Sequence, residues 1–289
     1  GKRTQLLALF SNPSVPDDLK HVLPLQPLQF GKELKSLFRQ IDPMYLQIMP
    51  AATLDDVKRE MDKHSPRIVM FSGHTLMGAL AFEDKDGLVV SAAGRDSSCS
   101  VCSQQDVYEH SIDQMERTVY TNSREFVKLL RRPSSNHNRG GGTCSVSAEC
   151  VFLNACESHK YGEKMMNEVD DDDMSVICWT TLTENASATA FAQGFFYVIG
   201  EALNHARGKE LLRLPIEKAF AAACAKFVKD GFAFGDPEDY LRGECQSQTG
   251  RPDYNKCPHC SPPVHGLAVL LTRKKPGGEI RMYTPSDVQ

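Results

Sequence analysis

Four consecutive apolar residues, Cys150-Val151-Phe152-Leu153, constrain this chain more than any other stretch. The run is too short for an independent helix and is rich in strand formers, so it predicts a buried strand. Asn154-Ala155-Cys156-Glu157-Ser158 then breaks it with small and polar residues. That leaves a thiol at the strand's carboxyl end, the edge where open α/β sheets bind ligands. Arg67-Ile68-Val69-Met70-Phe71 followed by Ser72-Gly73-His74-Thr75 has the same form and delivers an imidazole. A thiol and an imidazole on neighbouring strand ends are the components of Cys-His nucleophilic catalysis.

The elements around these two runs fit one layered sheet. Residues 5–10 read as a strand, and 31–41 as an amphipathic helix with Leu34, Leu37, Phe38 and Ile41 on its apolar face. Residues 45–49 form a second strand. Thr53 followed by Asp56 predicts a capping box for a helix running to about 63. With 67–71 the order is strand, helix, strand, helix, strand, which argues a parallel sheet covered on both faces. Segments 79–82 and 88–91, joined through Asp86-Gly87, predict a hairpin. Further helices are expected over 122–131, from after Cys156 to about 169, over 184–205 with Thr183 as cap, and over 216–229. Strands are expected at 174–180 and 266–272. The spread of sheet elements from end to end predicts one domain over 1–289, with an irregular Cys-rich insert at about 236–263.

Composition narrows the function classes. At 289 residues and 41% hydrophobic content a sizeable core is available. The formal net charge is −4 and no basic stripe is present, which argues against a nucleic-acid partner. No apolar run approaches the ~20 residues that cross a bilayer. The start, Gly1-Lys2-Arg3-Thr4, lacks a Met and a signal-peptide core, as in a segment cut from a longer protein. Several of the ten cysteines sit in core-like runs, so the expected compartment is a reducing cytoplasm.

Phe71-Ser72-Gly73-His74, Gly78-Ala79-Leu80-Ala81-Phe82-Glu83-Asp84, Leu153-Asn154-Ala155-Cys156-Glu157-Ser158, and Ala190-Phe191 through Phe196-Tyr197 after the Trp179 strand fall in an order with a known counterpart. Together they resemble the CHAT peptidases, caspase-like proteins often attached to TPR repeats, within the caspase, separase and legumain clan. The resemblance covers nearly the whole chain. It implies an α/β fold with a caspase-like, mostly parallel central sheet and helices on both faces. It also implies a cysteine endopeptidase with His74 and Cys156 as catalytic dyad, a protein or peptide substrate, and a TPR-like regulatory domain outside this chain. No cofactor is required for such catalysis. One position departs from the family: relatives usually carry Gly after the histidine, and here it is Thr75. A β-branched residue is restricted wherever glycine would supply an unusual φ. The alternative reading is therefore a pseudo-protease that keeps the fold as an interaction module. A ligase or transpeptidase would share the same acyl-enzyme.

The resemblance, with the dyad it implies, also sets what the neighbours should do. Backbone N–H groups of Cys156 and of Thr75 or Gly73 are the expected oxyanion donors. Asn154 should line the pocket for the residue before the cut. Glu184, with Thr183 as the competing match, is the expected receptor of a basic side chain there. The segment after Trp179 should pair with substrate backbone as an added strand. Asp170 to Asp173 could steer a basic substrate or be a solvated loop, and the Arg-rich 131–142 segment could be a self-cleavage site or a passive insert. Cys99-x-x-Cys102 and Cys257-x-x-Cys260 supply four candidate ligands for a structural zinc, with Cys245 and His265 as local alternatives and free reduced thiols as the competing reading.

Overall fold

The computed structural model describes residues 4–14, 27–76, 79–83, 120–121, 123–130, 148–169, 174–181, 183–206, 213–235, 265–273 and 278–288. In chain order the strands are β1 (Leu6–Phe10), β2 (Leu46–Met49), β3 (Ile68–Ser72), β4 (Thr75–Leu76), β5 (Ala79–Ala81), β6 (Tyr120–Thr121), β7 (Cys150–Asn154), β8 (Ser175–Trp179), β9 (Ala268–Arg273) and β10 (Ile280–Tyr283). The helices are α1 (Gly31–Gln40), α2 (Leu54–His64), α3 (Ser123–Leu130), α4 (His159–Glu168), α5 (Asn185–Ala206) and α6 (Ile216–Lys229). Seven strands make one sheet in the order β10-β9-β8-β7-β3-β1-β2. The five from β8 to β2 are parallel, and β9 and β10 close one side antiparallel. This is an α/β architecture consistent with a caspase-like fold.

Both faces of the sheet are covered, which is why its strands carry unbroken apolar runs. Along β1, Leu6, Ala8 and Phe10 pack with α1, α5 and α6, while Leu7 and Leu9 pack with α2, α3 and α4. On the first face Phe152 of β7 meets Phe191, Phe195 and Phe196 of α5 at 5.4–6.0 Å between ring centroids. Full burial of one such ring contributes roughly 1.5–3 kcal/mol, so this cluster fixes β7 firmly against its helix. Helix α5 also runs close to α1. A Cβ at Gly200 would overlap the Gln40 carbonyl oxygen, so only glycine fits there.

Local signals explain most boundaries. Thr53 Oγ1 accepts from the Asp56 N–H at 3.1 Å, and Asp56 Oδ2 accepts from the Thr53 N–H at 3.1 Å, the reciprocal cap that the sequence predicts. Helix α1 keeps Leu34, Leu37 and Ile41 against the core as its periodicity predicts, but Phe38 is 57% exposed and Glu33 and Ser36 are buried. Glu33 and Leu37, four residues apart, face the sheet. Thr183 does not cap α5. The Ala188 N–H closes the first turn on the Glu184 carbonyl at 2.9 Å, and the Thr183 hydroxyl donates to Thr181 O at 3.4 Å. Strand β10, which the polar pattern of 280–283 conceals, is an edge strand held by β9. The 79–81 segment pairs with β4 and β6 as a three-stranded antiparallel sheet, so its partner on one side is the segment after His74. The expected partner 88–91, the insert at about 236–263, Asp170 to Asp173 and the 131–142 segment lie outside the described residues. No helix among the described residues is long and apolar enough to cross a membrane.

Candidate active site

Strands β3 and β7 are parallel neighbours, and their last paired residues are Ser72 and Asn154. His74 and Cys156 each follow two residues later, so both leave the carboxyl edge at matched positions. Parallel strands run about 4.8 Å apart, so the two backbones emerge side by side. Close packing under His74 needs a glycine before it: a Cβ on Gly73 would stand 2.7 Å from the Phe71 ring and 2.8 Å from the Ser11 carbonyl. His74 is partly exposed, and its carbonyl accepts the Ala81 N–H at 3.0 Å, which ties it to β5.

Cys156 sits in a tight turn between β7 and α4. Glu157, the next residue, holds a left-handed φ of 50°, unusual for a residue with a Cβ, and donates its N–H to Thr181 O at 3.0 Å. The turn leaves Cys156 partly exposed while Ala155 and Ser158 are buried. The Thr183 N–H points at the Cys156 sulfur at 3.3 Å, and the thiol reaches the Thr183 carbonyl at 3.7 Å. Burial raises the Cys156 pKa above the usual thiol value, and the Glu157 charge adds to this. Hydrogen bonding from the Thr183 N–H and from the residue's own backbone pulls the other way. In this arrangement the sulfur is a protonated thiol at neutral pH.

Thr75 carries no strain. It lies in the extended β4, and the only non-glycine residues with positive φ among the described residues are Ala51, Ser65 and Glu157. The φ > 0 requirement that would penalise a β-branched residue does not arise. Its hydroxyl donates to the Cys156 carbonyl, a direct link between the segment carrying the imidazole and the one carrying the thiol. Of the expected oxyanion donors, the Gly73 N–H is engaged with the Asn154 carbonyl at 3.4 Å.

Asn154 and Trp179 are placed differently from the expectation of a substrate pocket. Asn154 is 8% exposed, and Trp179 is fully buried. The Asn154 Nδ2 donates to Glu33 Oε1 at 2.6 Å, and its Oδ1 accepts from the Trp179 indole N–H at 3.0 Å. Both side chains belong to the support beneath the thiol. The Trp179 N–H donates to Ser158 Oγ at 3.1 Å, which itself donates to Leu153 O at 3.3 Å, so β7 and β8 are joined beyond their ladder. Thr183 lies against the sulfur, and Glu184, one residue on, is exposed, as is Glu157.

Sequence reasoning missed Glu33, which is 5% exposed and accepts from Ser72 Oγ at 2.8 Å as well as from Asn154. Burial raises its carboxyl to about 7, against the lowering effect of those two hydrogen bonds. The available signal was a carboxylate four residues before Leu37 on the helix face turned to the sheet. Cys99, Cys102, Cys245, Cys257 and Cys260 lie outside the described residues, and His265 accepts the Ala233 N–H at 3.0 Å through Nδ1. Among the described residues no cluster of three or more His, Cys, Asp or Glu could hold a metal ion. No family model matches the chain, and neither does any curated protein.

Proposed function

We propose that this chain is a caspase-like cysteine endopeptidase of the CHAT type, with Cys156 as nucleophile and His74 as its base. The observation that carries the reading is the matched exit of His74 and Cys156 from adjacent parallel strands, bridged by the Thr75 hydroxyl on the Cys156 carbonyl. In the reaction the Cys156 sulfur attacks a peptide carbonyl as its proton passes to His74. His74 returns that proton to the leaving amine, and water hydrolyses the thioester to free the acid and the thiol. In this reading the oxyanion takes its hydrogen bonds from the Cys156 and Thr75 N–H groups, and loss of one such donor commonly lowers the rate on the order of 100-fold or more. Glu184 and Glu157, exposed on either side of the sulfur's turn, favour a basic residue before the scissile bond. Substrate must displace or shift the Thr183 backbone from the sulfur, which makes 183–184 the natural strand-like contact for the peptide. The enzyme works in the cytoplasm under a TPR-like regulatory domain.

A second reading, an interaction module without catalysis, is favoured by one observation: the Thr183 backbone N–H and carbonyl both lie against the sulfur. A thiol-reactive peptide carrying Arg at the cleavage position separates the two. Peptidase function predicts selective labelling of Cys156 that falls at least tenfold in His74→Ala and disappears in Cys156→Ala, both variants retaining the wild-type unfolding midpoint. Labelling indifferent to His74 would leave the interaction module.

A further inference from the structure

We infer that Glu33 is a positioning residue for the dyad: its carboxyl clamps the ends of β3 and β7 together directly beneath His74 and Cys156. This rests on the peptidase reading and adds to it a group on a different element, α1. The main-chain ladder between the two strands gives out where the dyad begins. Its last contact, Gly73 N–H to Asn154 O, is long at 3.4 Å. Beyond that point the Thr75 hydroxyl on the Cys156 carbonyl bridges the two segments. Below it, one carboxylate oxygen accepts from Ser72 at 2.8 Å and the other from Asn154 at 2.6 Å. Ser72 and Asn154 are register partners, each two residues before its dyad member. The Asn154 side-chain oxygen Oδ1, which accepts from the Trp179 indole N–H at 3.0 Å, extends the clamp to β8, whose continuation reaches Thr183 against the sulfur.

The clamp has a signature of a group kept for its geometry rather than for stability. Its donors are neutral, and burial outweighs them in setting the carboxyl's protonation. Groups at working sites commonly destabilise the fold in this way. Removing the carboxyl would leave the Ser72 hydroxyl and the Asn154 amide buried without their acceptor, free to turn and let the strand ends separate. Glutamine, by contrast, can accept from Asn154 through its oxygen and donate to Ser72 through its amide, which keeps the bridge without the charge.

The test reads Cys156 itself and needs no substrate. The rate of iodoacetamide alkylation is measured at the Cys156 peptide by mass spectrometry in wild type, His74→Ala, Glu33→Gln and Glu33→Leu, with a urea midpoint for each. The clamp predicts at least a fivefold slower reaction in Glu33→Leu at an undiminished midpoint, and recovery to within twofold of wild type in Glu33→Gln. If His74→Ala slows alkylation while Glu33→Leu matches wild type, the dyad stands and the clamp is refuted. If His74→Ala has no effect, the peptidase reading falls first. Should Glu33→Leu fail to fold, Ser72→Ala removes one of the two donors with little change in volume. The clamp then predicts at least a twofold slower reaction, and an unchanged rate overturns it.

Discussion

The two ends of β7 each meet a glutamate, and the two glutamates are treated in opposite ways. At the amino end Glu149 takes a two-point ion pair from Arg67, one arm at 2.9 Å, and a further N–H from Leu214 at 3.1 Å. At the carboxyl end Glu33 receives only a hydroxyl and an amide, and is more deeply buried. The first carboxylate has a cation facing it, and so joins β3, β7 and the approach to α6 as an anionic lock. The second has no cation among its hydrogen-bond donors, and its ionisation is disfavoured. One strand thus has a charge-compensated carboxylate at its amino end and an uncompensated one at the end that leads into Cys156.

The sharpest way to break this contrast is to remove the cation. Arg67→Ala should destabilise the protein by about 3 kcal/mol, since it strands a part-buried carboxylate. A urea titration would show it, and the folded protein's Cys156 alkylation rate should stay within twofold of wild type. A loss of Cys156 reactivity without loss of stability would invert the assignment of the two ends. The next effect concerns pH. The folded-state pKa of Glu33 is raised from 4.5 to about 7, so its contribution is fully present below pH 4.5. It fades as pH rises through 7, because the unfolded chain releases the proton earlier. The change is on the order of 3 kcal/mol across that window. Comparing urea midpoints of wild type and Glu33→Gln at pH 5 and pH 8 should show the variant gaining on wild type at the higher pH, and equal slopes would remove the uncompensated end from the account. Smaller still is Glu157→Gln. Relieving one raising influence on the Cys156 thiol should speed its alkylation at pH 7 by about two- to threefold. Thr53→Ala should lower stability by about 1 kcal/mol through the lost cap and leave alkylation unchanged.

Much of this was legible in the sequence because it is written in short-range patterns. The uninterrupted apolar runs of β1, β3, β7 and β8 require cover on both faces, and the Thr53–Asp56 pair marks a helix start without reference to anything distant. The strand-end positions of His74 and Cys156 follow from where those runs stop. What escaped depends on contacts between remote elements. Periodicity put Leu34, Leu37 and Ile41 rightly against the core, but it also put Phe38 there and gave no sign of Glu33, which is buried because Ser72 and Asn154 donate to it. Asn154 stands two residues before Cys156 in the chain, so it looked like a pocket residue, yet its side chain is held inward between the Trp179 indole and Glu33. Thr75 looked strained by analogy with glycine, whereas pairing with Leu80 draws it into an extended strand.

The absence of a side chain at Gly200 reaches further than the contact between two helices. Gln40, whose carbonyl fills that space, ends the same rigid rod that begins beside Glu33, roughly 10 Å away. A single added methyl at the back of the molecule would push on one end of that rod and tilt the other. The spacing of two helices is therefore coupled to the carboxyl that holds Ser72 and Asn154, and a side chain at residue 200 would act on the ends of β3 and β7 without touching either.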